Sequence, residues 1–214
     1  MPLGSQLKGR PASTMKLIGG RLCLDFVNSV GARRFSASRK MTIRDEKLHD
    51  YLDLLAWGRH VGALPNADAE TLADVSSRHA KEATAVFHRA IRLREALHHV
   101  CNAKLSHKQP NEADLLVLNE EFRLARGAEQ LVFEKAEFHW QWSKLDSALD
   151  RVLWPVARSA ADLLTQEDLS RLRQCGGDDC GWIFLDTSRN GGRRWCDMRD
   201  CGNVAKVRRF RHRL

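Results

Sequence analysis

CGGDDCGWIFLDTSRNGGRRWCDMRDC, residues 175–201, holds four cysteines in two matching pairs. Four residues separate Cys175 from Cys180 and four separate Cys196 from Cys201, with fifteen residues between the pairs. Thiolates at such knuckle spacings suit a closed tetrahedral zinc site. Nothing in the chain marks it as secreted, and a reducing compartment disfavours the alternative of two disulfides. An iron–sulfur cluster can use the same four ligands; one structural zinc ion is the favoured reading. Four thiolates fill the coordination sphere, whereas catalytic zinc keeps a position open for water. Cys23 and Cys101 stand alone among apolar neighbours and read as buried reduced thiols.

Between the pairs, GWIFL and RRWC flank DTSRNGG, whose Asn190-Gly191 suits a tight turn, so the spacing predicts a zinc ribbon whose hairpin joins those two runs. A module of about forty residues has too little core to fold alone, and metal binding has to supply much of its folding free energy. After the last cysteine, Asn203 is placed to cap a short helix. On a 3.6-residue period Val204, Val207, Phe210 and Leu214 share one side, expected to pack on the ribbon, and Lys206, Arg209 and Arg213 share another. Trp182, Phe184 and Trp195 read as core of the module, with base stacking as the alternative.

Charge follows the same division. The chain of 214 residues has a formal net charge of +8. Residues 171–214 carry 11 Lys and Arg against 5 Asp and Glu, and the first 170 residues carry 24 against 22. A cationic module beside a zinc ribbon is the electrostatic footprint of a polyanion partner. Arg189, Arg193 and Arg194 near the hairpin tip, with Lys206, Arg208, Arg209, Arg211 and Arg213 on the tail helix, are the candidate phosphate contacts.

The upstream chain alternates helical patterns with short interruptions. Leu48, Tyr51, Leu52 and Leu55 form one stripe; Ala83, Val86, Phe87, Ala90, Leu97, Val100 and Cys101 form a longer one; Asn111 caps a third helix. EQLVFEKAEFHWQW alternates and reads as a strand hairpin. Pro155 should kink or restart the next helix, and Thr165 to Asp168 mark a boundary. Residues 1–14 read as a disordered tail or cloning remnant, with Met15 as the natural start and no secretory signal. No apolar run is long enough to span a bilayer, so no membrane partner is expected. Arg21, Asp25 and Asn28, polar groups in an apolar stretch, are a candidate small-molecule effector site, with internal hydrogen bonding as the plainer account. No HExxH pair, Gly-rich phosphate loop or nucleophile elbow is present, and no catalytic residue is assigned.

The stretch CGWIFLDTSRNGGRRWCDMRDCGN resembles the CGNR zinc finger over roughly residues 172–213. Val204 stands where that family's name-giving motif has arginine. LIGGRLCLDFVNSV resembles the opening of the ABATE domain, which commonly precedes a CGNR finger. The paired resemblance implies a bacterial, stress-induced transcription regulator, with Cys175, Cys180, Cys196 and Cys201 on zinc and basic residues on DNA. The expected fold is mainly α with a small β-hairpin (α+β) at residues 15–164, followed at 165–214 by a four-cysteine zinc ribbon and a short basic helix. The expected function is DNA-binding transcription regulation in the cytoplasm, at the nucleoid, by a protein able to form a homodimer. RNA binding, or docking on the transcription machinery, are the alternative readings.

Overall fold

The computed structural model describes residues 7, 9–35, 41–143 and 147–211. Its helical body is built from α1 (Leu22–Val27), α2 (Tyr51–His60), α3 (Asn66–Arg78), α4 (Ala80–Leu105), α5 (Glu112–Gly127) and α6 (Trp154–Gln166). Two antiparallel pairs accompany them, β1 (Val30–Phe35) with β2 (Met41–Glu46), and β3 (Glu129–Glu134) with β4 (Glu137–Trp142). The expected mainly helical fold and its β3–β4 hairpin are present.

Local chemistry accounts for the helix ends. Asp50 caps α2 by accepting from the Asp53 N–H at 2.7 Å, and Asn111 caps α5 by accepting from Ala113 N–H at 3.0 Å, each satisfying an amide that the helix leaves unpaired. Pro155 lies in the first turn of α6, where a missing N–H costs nothing, so the helix starts there. The long α4 buries Ala83, Val86, Ala90, Leu93, Leu97, Val100 and Cys101, a three-and-four spacing that faces one core with α1, α2 and α6. Phe26 and Trp57, both fully buried, meet at 4.9 Å between ring centroids in that core.

The β1–β2 pair has no apolar alternation to announce it. It is held instead by buried charge. Arg33 on β1 pairs with Glu95 of α4, and Arg94 of α4 forks onto Glu46 of β2 through two contacts of 2.6 Å. Both guanidinium groups are almost wholly buried, which is tolerable only because every charge in the network meets an opposite one.

Residues 9–14 depart from the expectation of a tail. Pro11–Thr14 form a 3-10 helix against α2, Ala12 is fully buried, and Arg10 bridges Asp50 at 2.9 Å and Asp53 at 2.6 Å. The carboxylates at the start of α2 are what fix this segment.

Beyond α6 come β5 (Leu172–Gln174), β6 (Ile183–Leu185), a π-helical turn at Met198–Gly202 and α7 (Asn203–Arg211). The strand pairing differs from the one expected. β6 pairs with β5, Leu172 opposite Leu185 and Gln174 opposite Ile183, and not with RRWC. The other edge of β6 is taken by the helical body: Leu185 N–H donates to Gly19 C=O at 2.9 Å, and Ile183 N–H to Asn28 Oδ1 at 3.0 Å. With both edges filled, the 187–194 loop folds over buried Asp186, which accepts from Ser188 N–H (2.9 Å) and Arg193 N–H (2.8 Å). Leu172, Ile183 and Leu185 belong to the same apolar core as α1, α2 and α4. The C-terminal module is therefore docked on the helical body, not tethered beside it.

Candidate metal centre and basic surface

Four segments bring the cysteines together: Cys175 follows β5, Cys180 precedes β6, Cys196 follows the 187–194 loop, and Cys201 sits on the π-helical turn. Their sulfurs all lie within 4.8 Å of one another, with 3.6 Å between Cys180 and Cys196 and 3.5 Å between Cys196 and Cys201. A tetrahedron with Zn–S bonds of about 2.3 Å has edges of about 3.8 Å, so the site fits one zinc ion with little adjustment. Cys196 N–H donates to Cys175 Sγ at 3.2 Å, which favours the thiolate and orients it. Hydrogen bonds from the Cys180 and Cys196 thiols, joined by that N–H, hold the Cys175 thiol far below its ordinary value, and the same proton sharing pushes Cys180 and Cys196 up. Four such sulfurs reach full charge together only around a cation.

Backbone closeness matters as much as the sulfurs. A Cβ on Gly177 would stand 3.2 Å from Cys201 Sγ and 3.3 Å from Cys180 Cβ, so a side chain at this knuckle would press the ligands aside by a few tenths of an ångström. Cys175, Cys180 and Cys196 are buried and Cys201 is partly so, packed around fully buried Phe184 with Ile18, Trp182 and Trp195. Cys23 and Cys101 are fully buried in the helical body, where burial pushes both thiols up, that of Cys23 to about 12. They are inert thiols far from thiolate character.

The candidate cations divide into two groups. Arg193 turns inward: its guanidinium lies 4.1 Å over the Phe184 ring and donates to the carbonyls of Trp195 (3.1 Å), Ile18 (3.1 Å) and Cys196. These contacts clamp the loop. Arg208 pairs with Asp178 and lies 3.9 Å from Asp179, pinning α7 to the knuckle. Arg189, Arg194, Lys206, Arg209 and Arg211 are exposed and make no ion pair among the described residues. Arg213 lies outside the described residues, as does Leu214.

Two further expectations about the tail are corrected. The cap of the final helical segment is Asp197, which accepts from Arg199 N–H at 2.8 Å, while the Asn203 amide donates to Arg199 C=O. A π-helical turn carrying Cys201 runs straight into α7, so the cap falls six residues earlier. Val204, Val207 and Phe210 do not pack on the ribbon; they are half to two-thirds exposed. The ribbon's apolar side is already spent on the helical body.

Trp182 donates its indole N–H to Val30 C=O at 2.8 Å and so joins the docking surface. A cleft of about 640 Å³ runs past it between the knuckles and α7, lined by Gly177, Asp178, Arg194, Trp195, Arg208 and Arg209 among others. The three polar residues of the candidate effector site are engaged internally: Asn28 binds both backbone groups of Ile183, Asp25 accepts from Gly19 N–H at 2.8 Å, and Arg21 pairs with Glu167 at 2.7 Å. They fasten the C-terminal module and the end of α6, and none of them lines this cleft.

A helical body bearing a docked four-cysteine module defines a zinc-finger protein whose finger is fused to a larger helical domain. Residues 20–167 match the model of ABATE, described as "Putative stress-induced transcription regulator", and residues 171–214 match the CGNR zinc finger. The chain belongs to the ABATE family, with a CGNR zinc finger at its C-terminal end. Both are regulator and zinc-finger types, not enzyme families. No curated protein sequence matches the chain. Among the described residues no helix is long and apolar enough to cross a membrane.

Proposed function

We propose that this protein is a zinc-dependent regulator that binds duplex DNA, acting in the cytoplasm at the nucleoid. The observation that carries the reading is the division of the arginines. Arg193 and Arg208 are spent on holding the zinc module together, whereas Arg189, Arg194, Lys206, Arg209 and Arg211 stand exposed on it. Cations held at fixed positions on a metal-braced unit lose little freedom on meeting phosphate, and each contact releases counterions. Arg213 continues the run of basic residues in sequence. Selection of randomised duplexes by the zinc-loaded protein tests this: one enriched motif is expected, and retention without enrichment rejects sequence-specific regulation. Competition with structured RNA separates the two nucleic acids.

A second reading rests on the exposed apolar side of α7. Val204, Val207 and Phe210 lie beside the cations with nothing of this chain covering them among the described residues, which suits docking on a protein of the transcription machinery. Capture that persists at high salt would favour it, because apolar contacts outlast screened ones.

For the helical body we infer an effector-binding role, supported by a cavity of about 300 Å³ between Leu7, Gly9, Ser13 and the end of α2. Arg59 lines it, and its Nη1 is buried without a hydrogen-bond partner among the described residues. A buried donor of that charge calls for an acceptor, and a small carboxylate or phosphate ester suits it. Thermal shifts across such anions should be positive for the wild type and absent for Arg59→Met.

A further inference from the structure

The β3–β4 hairpin carries a side that nothing covers among the described residues. The register sets Leu131 opposite Trp140 and Phe133 opposite Phe138. These four residues are 58%, 57%, 61% and 72% exposed, and the two phenylalanine rings meet at a tilt with 4.7 Å between centroids. The same side of the hairpin starts as core: Trp142, the last residue of β4, packs at 5.9 Å on Trp154 with Ala125 and Ala157. An apolar face that begins inside the protein and continues past its edge is a face awaiting an occupant.

We propose that the occupant is a second copy of this chain, joined by a two-fold axis that lays the two hairpins antiparallel, each tip on the base of the other. Three observations fit that partner. The first is area: aromatic and aliphatic side chains of this size and exposure offer roughly 500 Å² on each copy, and the pair reaches the roughly 1,000 Å² that a specific interface needs. The second is shape. At the hairpin base a cavity of about 270 Å³ opens beneath Trp140, floored by Phe122, Ala125, Ala157 and Ala161, and an incoming Phe138 ring suits it. The third is charge. The tip carries Glu134 and Glu137 beside Lys135, and the cavity is lined by Arg126 and Arg158 with Glu129 and Asp162; Arg158 is paired with Glu129 at 2.6 Å, which leaves Arg126 as the lining cation with no ion pair among the described residues. An isologous contact makes every tip-to-base match twice, so Glu137 of each tip meets Arg126 of the other base on both sides of the axis.

Such a dimer would present two zinc modules on one particle. The proposal itself does not depend on what those modules bind.

The test is the mass of the zinc-loaded full-length protein by light scattering and sedimentation between about 1 and 100 µM. A concentration-dependent dimer is expected. Phe138→Asp should give a monomer with unchanged helix content and zinc stoichiometry. Glu137→Arg and Arg126→Glu should each weaken the dimer at least tenfold, and mixing the two variants should restore it, because the reversed tip then meets the reversed base. If Phe138→Asp fails to fold, the surface charge variants and the wild-type dilution series still decide. A wild type that stays monomeric at 100 µM overturns the proposal, as does a dimer indifferent to these changes. A monomer that sediments with anionic vesicles would assign the face to lipid and overturn it equally.

Discussion

The side-chain amide of Asn28, at the end of α1, binds both backbone groups of Ile183 on β6: Nδ2 donates to the carbonyl at 2.8 Å, and Oδ1 accepts from the N–H at 3.0 Å. An amide is the smallest side chain that mimics a strand neighbour in this way. It fastens the metal-bearing module to the helical body at a point where Asn28 is 2% exposed.

Replacing Asn28 with alanine leaves two buried backbone groups without partners, at a cost of about 2–4 kcal/mol. Urea unfolding should register that loss in the midpoint with an unchanged slope. Amide exchange should rise first at residues 183–185. A loss below about 0.5 kcal/mol would mean that water replaces the asparagine, since a neutral outcome requires the freed groups to be satisfied.

Because Leu172, Ile183 and Leu185 lie in the main core, metal and helical body are coupled. The intact protein should hold one zinc per chain by elemental analysis. Chelation, or Cys180→Ser, should release it and lower the melting temperature of the whole chain, not of a separate small transition. Cys101→Ala should keep the zinc, since that thiol is buried in the helical body and outside the quartet.

Gly181 has a φ of +72°, and a Cβ there would stand 2.6 Å from Arg33 C=O, whose own N–H donates to Cys180 C=O at 2.9 Å. Gly62 has a φ of +74°, and a Cβ there would meet nothing within 4 Å. Gly62→Ala should therefore cost about 1 kcal/mol from backbone strain alone. Gly181→Ala should cost clearly more and loosen the docking. Equal losses in urea unfolding would show that the close approach to β1 carries no weight.

Acid should unfold the helical body through two groups on α4. Burial, reinforced by Arg33, holds buried His98 down to about 3, so it resists the proton that the unfolded chain takes up below about pH 6.5. Burial opposes ionisation of Glu95, but Arg33 and Arg94 outweigh it and hold its carboxyl at about 2. Both folded values lie below the unfolded ones. Stability is then full above about pH 6.5, declines through His98 from there, and declines further through Glu95 below about pH 4.5. His98→Gln should flatten the first limb in urea titrations at about pH 7, 6 and 5, which bracket the unfolded histidine value; an unchanged limb would assign it elsewhere.

How much of this was legible depends on where the partner of each residue lies. The cysteine quartet, the stripe on α4, the Asn111 cap and the β3–β4 alternation are local patterns, and local spacing carries them. The partner of β6 was not legible, because its edges are filled by Arg173, Gly19 and Asn28, the last two more than 150 residues away. Distance also explains Val204, Val207 and Phe210, whose periodicity is real but whose expected packing surface is already occupied by the helical body. β1 and β2 were invisible for another reason: Arg33 enters the interior as a charge and half-buried Glu46 meets buried Arg94, and no apolar pattern marks them.

The salt dependence of duplex DNA binding by zinc-loaded wild type, Lys206→Ala and Arg209→Ala tests the role of the exposed cations without intermediaries. Each substitution should weaken binding and reduce the slope of log affinity against log salt by about one. Arg193→Ala, by contrast, should act through stability of the zinc module. Slopes identical to the wild type for both Lys206→Ala and Arg209→Ala would contradict the assignment of α7 to phosphate.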